Sequence, residues 1–385
     1  MAASGSEALS SESMGSGMSP SPGASSSLIL GIESSCDESS ASVVRYLPPT
    51  AATSAGRLEV LGLATFSQIA VHRPYGGVVP EIASRNHLET INPMISEALK
   101  QAGLEANKLD AIAVTNRPGL VGALLVGVSA GKAMSYAFKK PLVPVHHLEG
   151  HAASVFLETD VELRLPMLLA IVSGGHTHLH VIQTPPQLWG LDMLKRSLVG
   201  RSRDDAAGEA FDKTAKTLGF PYPGGVWIDK TARGGNPHAF ELPRALKEKS
   251  TFDFSFSGFK TAVSLVAQRL EREGTLEARL PDLCASIQEG IVDALLTKIF
   301  LASRAHDCRS LAIVGGVAAN SRLRGRLDAE WKSAGYEIPP IFPKMDYCTD
   351  NAAMIAAAGA FRFRQGHFLR GSEMLSLNAI ASPEF

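Results

Sequence analysis

The chain has 385 residues, with 37 Lys and Arg against 38 Asp and Glu, and 45% of its residues are apolar. A chain of this size carries a prior of two or three domains and can bury a full core, which excludes a disulfide-stapled miniprotein. The net charge of −1 supplies no global basic field, so any nucleic-acid partner must meet a local patch.

The first 27 residues hold eleven Ser, four Gly and two Pro, with Glu7 and Glu12 as their only charges. Such a segment cannot bury enough surface to offset its ordering entropy and reads as a disordered tail. It has neither the apolar core of a secretory signal nor the Arg of a mitochondrial transit peptide, so a bacterial cytoplasm is expected rather than a mitochondrion. No uncharged apolar run reaches the ~18 residues of a membrane span, and no membrane partner is expected. Cys36, Cys284, Cys308 and Cys348 form no C-x-x-C pair, which fits a reducing compartment.

From Leu28 the pattern becomes an apolar strand to Ile32, a polar turn over Glu33–Glu38 and a second strand through Val44. Leu88, Ile91, Ile95 and Leu99 are spaced like a helix face, and Leu109 to Thr115 reads as a buried strand. The hairpin grammar then returns about 140 residues on: Met167 to Val172 as a strand, Ser173-Gly174-Gly175-His176 as a turn, Thr177 to Ile182 as its partner. Asp204 to Lys213 reads as a helix carrying several acids, with Asp212 placed to reach a ribose or an amine. Tyr222-Pro223-Gly224-Gly225 is a turn in which Gly225 permits close ligand approach. A third glycine pair, Gly315-Gly316, ends a buried strand and leads past Asn320 into a helix, a turn suited to phosphate.

No Walker lysine and no G-x-G-x-x-G follow the first strand, so P-loop and Rossmann readings lose their fingerprints. Two polar hairpin tips and a strand-to-helix glycine turn instead match an α/β, actin-like or sugar-kinase-like two-lobed ATPase layout with a duplicated core.

Six of the eleven histidines lie between His146 and His180. His147 and His151 are one helical turn apart, which puts two imidazoles on one face with Cβ atoms about 5–6 Å from each other, suited to a bidentate metal clamp or to an ordinary surface pair. A zinc protease of the H-E-x-x-H type needs Glu directly after its first His, and Leu148 stands there. The third ligand candidate is Asp350, whose bland alternative is the acidic N-cap of the helix that it begins. Three protein ligands leave coordination positions open, the arrangement of a metal that grips a substrate. Arg322, Arg324 and Arg326, with Arg201 and Arg203, are candidates for nucleic-acid contact or else a solvated face.

The residues resemble one family: the TsaD type of tRNA threonylcarbamoyladenosine transferase. The likeness runs through Gly31-Ile32-Glu33-Ser34-Ser35-Cys36-Asp37-Glu38, Tyr75 to Glu81, His147 to His151, Ser173 to His176, Phe211-Asp212-Lys213, Phe254 to Gly258, Gly315 to Asn320, and Thr349-Asp350-Asn351. Only the Ser-rich head and the end after about Arg364 fall outside it. The resemblance implies transfer of the threonylcarbamoyl group from threonylcarbamoyl-AMP to N6 of the adenosine just 3′ of the anticodon in tRNAs reading ANN codons, with release of AMP. It implies one divalent metal per subunit, Fe2+ with Zn2+ as the alternative, on His147, His151 and Asp350. It implies that Ile171, Val172, Ser173, Gly174, Gly175, Asp212, Gly225, Asp229 and Asn320 contact the adenylate. A TsaB-like paralogue and a TsaE-like ATPase are implied partners, and a TsaC-like enzyme the supplier of substrate. The expected division is a tail over 1–27, a first lobe over 28–140 to which 352–385 returns, and a second lobe over 141–351. The rival reading is an actin-like ATPase or kinase acting on a small molecule, which leaves the paired histidines unexplained.

Overall fold

The computed structural model of the protein describes residues 25–48, 56–159, 163–185, 189–246 and 250–382. The expected tail lies outside the described residues up to position 24. Two sheets organise the chain. The first contains β1 (Ser27–Glu33), β2 (Glu38–Leu47), β3 (Arg57–Ser67), β4 (Ala111–Arg117) and β5 (Leu142–His146) in the order β3-β2-β1-β4-β5. The second contains β6 (Met167–Val172), β7 (Thr177–Ile182), β8 (Leu198–Arg201) and β9 (Ser310–Val314) in the order β8-β7-β6-β9.

The duplication seen in the sequence is therefore a duplication of topology. In each sheet an antiparallel hairpin (β1–β2, β6–β7) lies beside a parallel neighbour, with Ile29 opposite Ala111 in one and Met167 opposite Ser310 in the other. The fifth position of the second sheet is reduced to a single parallel bridge between Ala312 and Ile341. Because β5 pairs with β4, the first sheet extends past residue 140, beyond the expected lobe boundary.

β1 is apolar on both faces because both are covered, the pattern of a central strand with helices on each side. Leu30 and Ile32 join the core beneath the helices Pro80–Ala102 and Val121–Phe138, and Ile29 joins a core shared with the helix Ala352–Arg364. The buried residues of that last helix are mostly Ala and Gly, and it sits almost on the backbone of β1: a Cβ at Gly31 would lie 2.3 Å from the Ala352 carbonyl oxygen. The shared core also takes in Leu169 and Ile171 of β6 and Ala312 and Val314 of β9, so one apolar layer joins the bases of both lobes.

Several local expectations shift. The buried stripe of the helix Pro80–Ala102 runs through Ala83, His87, Ile91, Ile95 and Ala98, while Leu88 is exposed. Asp204 and Asp205 precede the helix Ala207–Thr217 instead of lying on it, and Asp204 accepts bonds from the backbone of Phe256 and the hydroxyls of Ser255 and Ser257. With Lys132 inside it, Val121–Phe138 is not an uncharged run, although by length and composition alone it is able to span a membrane. Its Ala123, Leu124, Gly127, Val128 and Gly131 are buried in the first lobe, where Gly127 and Gly131 bring it close to Ser34 and Val114.

Candidate metal centre and substrate cradle

Strand β5 ends at His146 and runs straight into the helix His147–Ala153. His146 caps that helix through its own ring, accepting from Leu148 N at 3.2 Å, and Glu149 closes the capping box by accepting from His146 N at 3.0 Å. Glu149 is in turn paired with Arg362 at 3.0 Å, which ties the short helix to Ala352–Arg364. This fixes the two imidazoles one turn on: the rings of His147 and His151 are 4.7 Å apart between centroids, edge to face, and both are buried.

Asp350 meets them from the far end of the chain. Its Oδ1 lies 3.5 Å from His147 Nε2 and 3.2 Å from His151 Nε2, and one ligand atom from each residue falls within 4.8 Å of the others. Asp350 is not the N-cap that the sequence suggested. Asn351 has that role, accepting from Met354 N at 3.0 Å, which frees the preceding carboxylate to face the histidines.

Behind the triad stands Glu33, the last residue of β1 and completely buried. Its Oε2 lies 3.2 Å from His147 Nδ1 and accepts from Thr115 Oγ1 at 2.8 Å, while Oε1 accepts from Ser35 N at 2.5 Å. Ser35 Oγ sits 3.2 Å from the same His147 nitrogen. A carboxylate on Nδ1 holds the tautomer that leaves Nε2 free, the usual support of a metal-ligating histidine. Nothing in the spacing assigned this role to Glu33; the available signal was an acid closing an otherwise apolar strand.

The electrostatics ask for a cation here. Burial opposes charge on Asp350, yet His147 and then His151 override it and hold the carboxyl well below its ordinary range. Burial likewise opposes charge on His147, and Asp350 and Glu33 together push it well above the usual imidazole value. In the protein alone the imidazolium supplies the positive charge; a divalent ion would replace that proton. His151 carries the clearest mark. Its ring is fully buried, and among the described residues neither nitrogen has a hydrogen-bond partner, although Nε2 points at Asp350 from 3.2 Å. Two imidazoles and a carboxylate with a position open fit a substrate-gripping divalent metal.

The cradle is assembled in the second lobe as a chain of contacts. Ile171 and Val172 are buried strand residues, so only their backbone is available to a ligand, while Gly174 and Gly175 at the hairpin tip stand open. The tip is held from below: Gly208 donates its N–H to Ser173 O at 3.2 Å, and a Cβ on Gly208 would come within 2.6 Å of that oxygen. The helix Ala207–Thr217, which contains Gly208, carries Asp212, whose Oδ1 accepts from Gly224 N at 2.7 Å, so the carboxylate secures the turn at Gly224 and Gly225. Burial raises the Asp212 pKa against the pull of those two backbone donors. The next helix, Gly224–Thr231, presents Asp229, which accepts from Ser321 Oγ at 2.7 Å and from Gln288. Asn320 caps Ser321–Ser333, accepting from Arg322 N at 3.1 Å and Leu323 N at 3.0 Å, so part of the expected phosphate turn is already occupied by protein. Beside these residues opens a groove of about 490 Å³ lined by Asp229, Arg233, Gln288, Ser321 and Arg322 among others.

The basic residues considered for tRNA are mostly spoken for. Arg322 makes a two-pronged pair with Glu289 at 2.7 and 3.1 Å, Arg326 is bound to Glu289, Asp293 and Glu330, and Arg324 donates to Ala318 O at 2.6 Å over the Phe342 ring. Arg203 pairs with Asp253 at 2.9 Å.

Fold and site together define an actin-like, two-lobed protein in which His147, His151 and Asp350 form a group that could hold a metal ion. The model of the TsaD family, tRNA N6-adenosine threonylcarbamoyltransferase, matches residues 59–357. Proteins of that name from Moorella thermoacetica and Syntrophobacter fumaroxidans are each 47% identical, over 91% and 89% of this chain and 95% and 96% of their own. Among solved structures, HypF of T. kodakarensis is 13% identical with a TM-score of 0.51, covering 92% of this chain and 50% of that one, a likeness of fold alone. The chain belongs to the TsaD family of tRNA N6-adenosine threonylcarbamoyltransferases, and it is a transferase that modifies tRNA. The small-molecule kinase reading is not favoured.

Proposed function

We propose that the chain takes threonylcarbamoyl-AMP, places its threonylcarbamoyl group on N6 of adenosine 37 in tRNAs reading ANN codons, and releases AMP. The observation that carries the reading is the meeting of His147, His151 and Asp350 around one ion-sized point in a chain of this family. In this reading the backbone of Ile171 to Gly175 lies along the anionic adenylate, Asp212 holds the Gly225 turn against it, and Asp229 and Asn320 border the nucleoside. Gly174 and Gly175 let N–H groups approach the phosphate without steric cost. Glu33 keeps His147 Nε2 directed into the centre. A divalent metal held by His147, His151 and Asp350 supplies Lewis-acid polarisation when bound. Iron(II) suits two imidazoles and a carboxylate with open positions, with zinc the alternative.

The exocyclic amine of adenine is a weak nucleophile because its lone pair is delocalised into the ring. Orientation against an activated carbonyl therefore contributes much of the acceleration. A TsaB-like paralogue and a TsaE-like ATPase complete the working assembly, a TsaC-like enzyme supplies the intermediate, and the reaction takes place in the cytoplasm. The test incubates the metal-loaded chain and candidate partners with threonylcarbamoyl-AMP and unmodified tRNA, followed by nucleoside mass spectrometry. Threonylcarbamoyladenosine is the expected product; unmodified adenosine under all partner combinations would overturn the reading.

A further inference from the structure

Tyr222 was read in the sequence only as part of a turn, and the reaction described above gives it no task. It belongs to the second lobe, immediately before the Gly224–Thr231 helix, yet its hydroxyl donates to Asp37 Oδ2 at 3.3 Å, at the tip of the first-lobe hairpin. Among the described residues, the groups that act most on that hydroxyl after burial itself are Asp37, Cys36, Asp212 and Glu38, each of which raises its pKa, so it remains a donor. Burial, then Asp37 and Asp350, likewise push Glu38 well above the ordinary carboxylate range.

Next to Tyr222 this corner disfavours the anionic groups of the donor substrate. Threonylcarbamoyl-AMP carries a carboxylate and a phosphate, both repelled by Asp37, whereas an uncharged amine that donates hydrogen bonds is welcome there. The acceptor nucleobase is such a group. Adenine presents an N–H of its exocyclic amine beside an unprotonated ring nitrogen, a donor next to an acceptor. A carboxylate oxygen beside a phenol hydroxyl is an acceptor next to a donor, the complementary pair.

Resting on the reaction proposed above, we propose that Asp37 and Tyr222 together bind the acceptor adenine: Asp37 accepts from N6–H, Tyr222 donates to the neighbouring ring nitrogen, and the bond between them is the place-holder that the base displaces. The pair makes guanine or inosine a poor acceptor, since both put a carbonyl oxygen where Asp37 needs a donor. The base must leave its stack to reach the cleft.

The experiment measures transfer by wild type and Tyr222→Phe on tRNAs carrying adenosine, 1-deazaadenosine or 7-deazaadenosine at position 37, alongside direct binding of threonylcarbamoyl-AMP. On adenosine, Tyr222→Phe is expected to raise KM for tRNA about tenfold, the worth of one neutral hydrogen bond, with kcat nearly unchanged. On one of the two deaza substrates wild type is expected to show the same loss, and Tyr222→Phe to add nothing further. The 1-deaza and 7-deaza arms identify which ring nitrogen is read. Wild type transferring equally to all three substrates, Tyr222→Phe losing the same factor on each, or a loss confined to threonylcarbamoyl-AMP binding would overturn the proposal. Because the wild-type deaza series needs no variant, a folding defect in Tyr222→Phe leaves the test intact. Wild type inactive on every tRNA, adenosine included, would count instead against the reaction itself, and an unchanged affinity of adenosine and deaza tRNAs for wild type in direct binding would then overturn the pair.

Discussion

The tips of the two duplicated hairpins occupy equivalent places in their sheets and have opposite chemistry. The first, Glu33 to Glu38, is filled with carboxylates, sealed against helices and bonded to His147 through Glu33 and Ser35. The second, Ser173 to His176, carries no charge, and Gly174 and Gly175 stand open with no neighbour within 4 Å of where a Cβ would be. Its histidine neighbours stay neutral: burial first, then nearby positive charge, lowers His176 to about 3 and His178 to about 4, and burial lowers His180 to about 3. One topology thus yields a wall that attracts a cation or an amine and a facing wall that accepts an anion. Transfer of an acyl group from an adenylate to an amine needs both.

The most damaging way to break this contrast is to remove the cation from the acidic side. Asp350→Ala or His151→Ala should abolish stoichiometric metal and lower transfer by at least about 100-fold, read by elemental analysis and nucleoside mass spectrometry. Glu33→Gln keeps all three ligands but loses the carboxylate that sets the His147 tautomer. It should weaken metal affinity by about 10- to 100-fold, measured by competition with a chelator. Metal uptake should also fall on acidification, because the elevated His147 pKa makes the ion compete with a proton.

Glycine substitutions sharpen the other wall. Gly315 has φ +94° and its Cβ would lie 2.5 Å from Val172 O, so Gly315→Ala should cost about 1–3 kcal/mol of stability and lower Tm. Gly175→Ala meets no atom and should leave Tm nearly unchanged while weakening threonylcarbamoyl-AMP binding. Equal effects of the two on Tm would erase the distinction between a supporting and a ligand-facing glycine.

A smaller effect follows from the neutral histidines. His180 has a folded pKa of about 3, below the ordinary value near 6.5 that it regains on unfolding. Between those values the unfolded chain binds more protons, so stability falls as pH drops below about 6.5 and is unaffected by this group above it. At pH 5 the loss is about 2 kcal/mol, and a His180→Gln variant should show a flatter fall of Tm between pH 7 and 5. Smallest of all, Arg322→Gln should leave the salt dependence of tRNA binding unchanged, because Glu289 already holds that guanidinium.

Much of this was legible in the sequence. Hairpin repetition, the Gly-Gly turn and the paired histidines are local patterns, and local patterns are what periodicity and spacing report. Asp350 was found as a ligand candidate but misplaced as a cap, because Asp350 and Asn351 are both capping residue types and only the backbone shows which one turns inward. Glu33 and Tyr222 were missed for a different reason. Their partners, His147 and Asp37, are 114 and 185 residues away, and no short-range pattern encodes such a meeting. Asn320 and the arginines of its helix looked available for ligands until the fold supplied them with partners inside the protein.

The most direct measurement is equilibrium loading of the metal-free chain with iron(II) under anaerobic conditions, in wild type and Asp350→Ala, with threonylcarbamoyl-AMP affinity measured on the same samples. One ion per wild-type chain, none per variant chain, and intact protein in both is the expected result. Full occupancy of the variant, or a wild type that takes up no divalent ion, would contradict a shared cation at the meeting point of the two lobes.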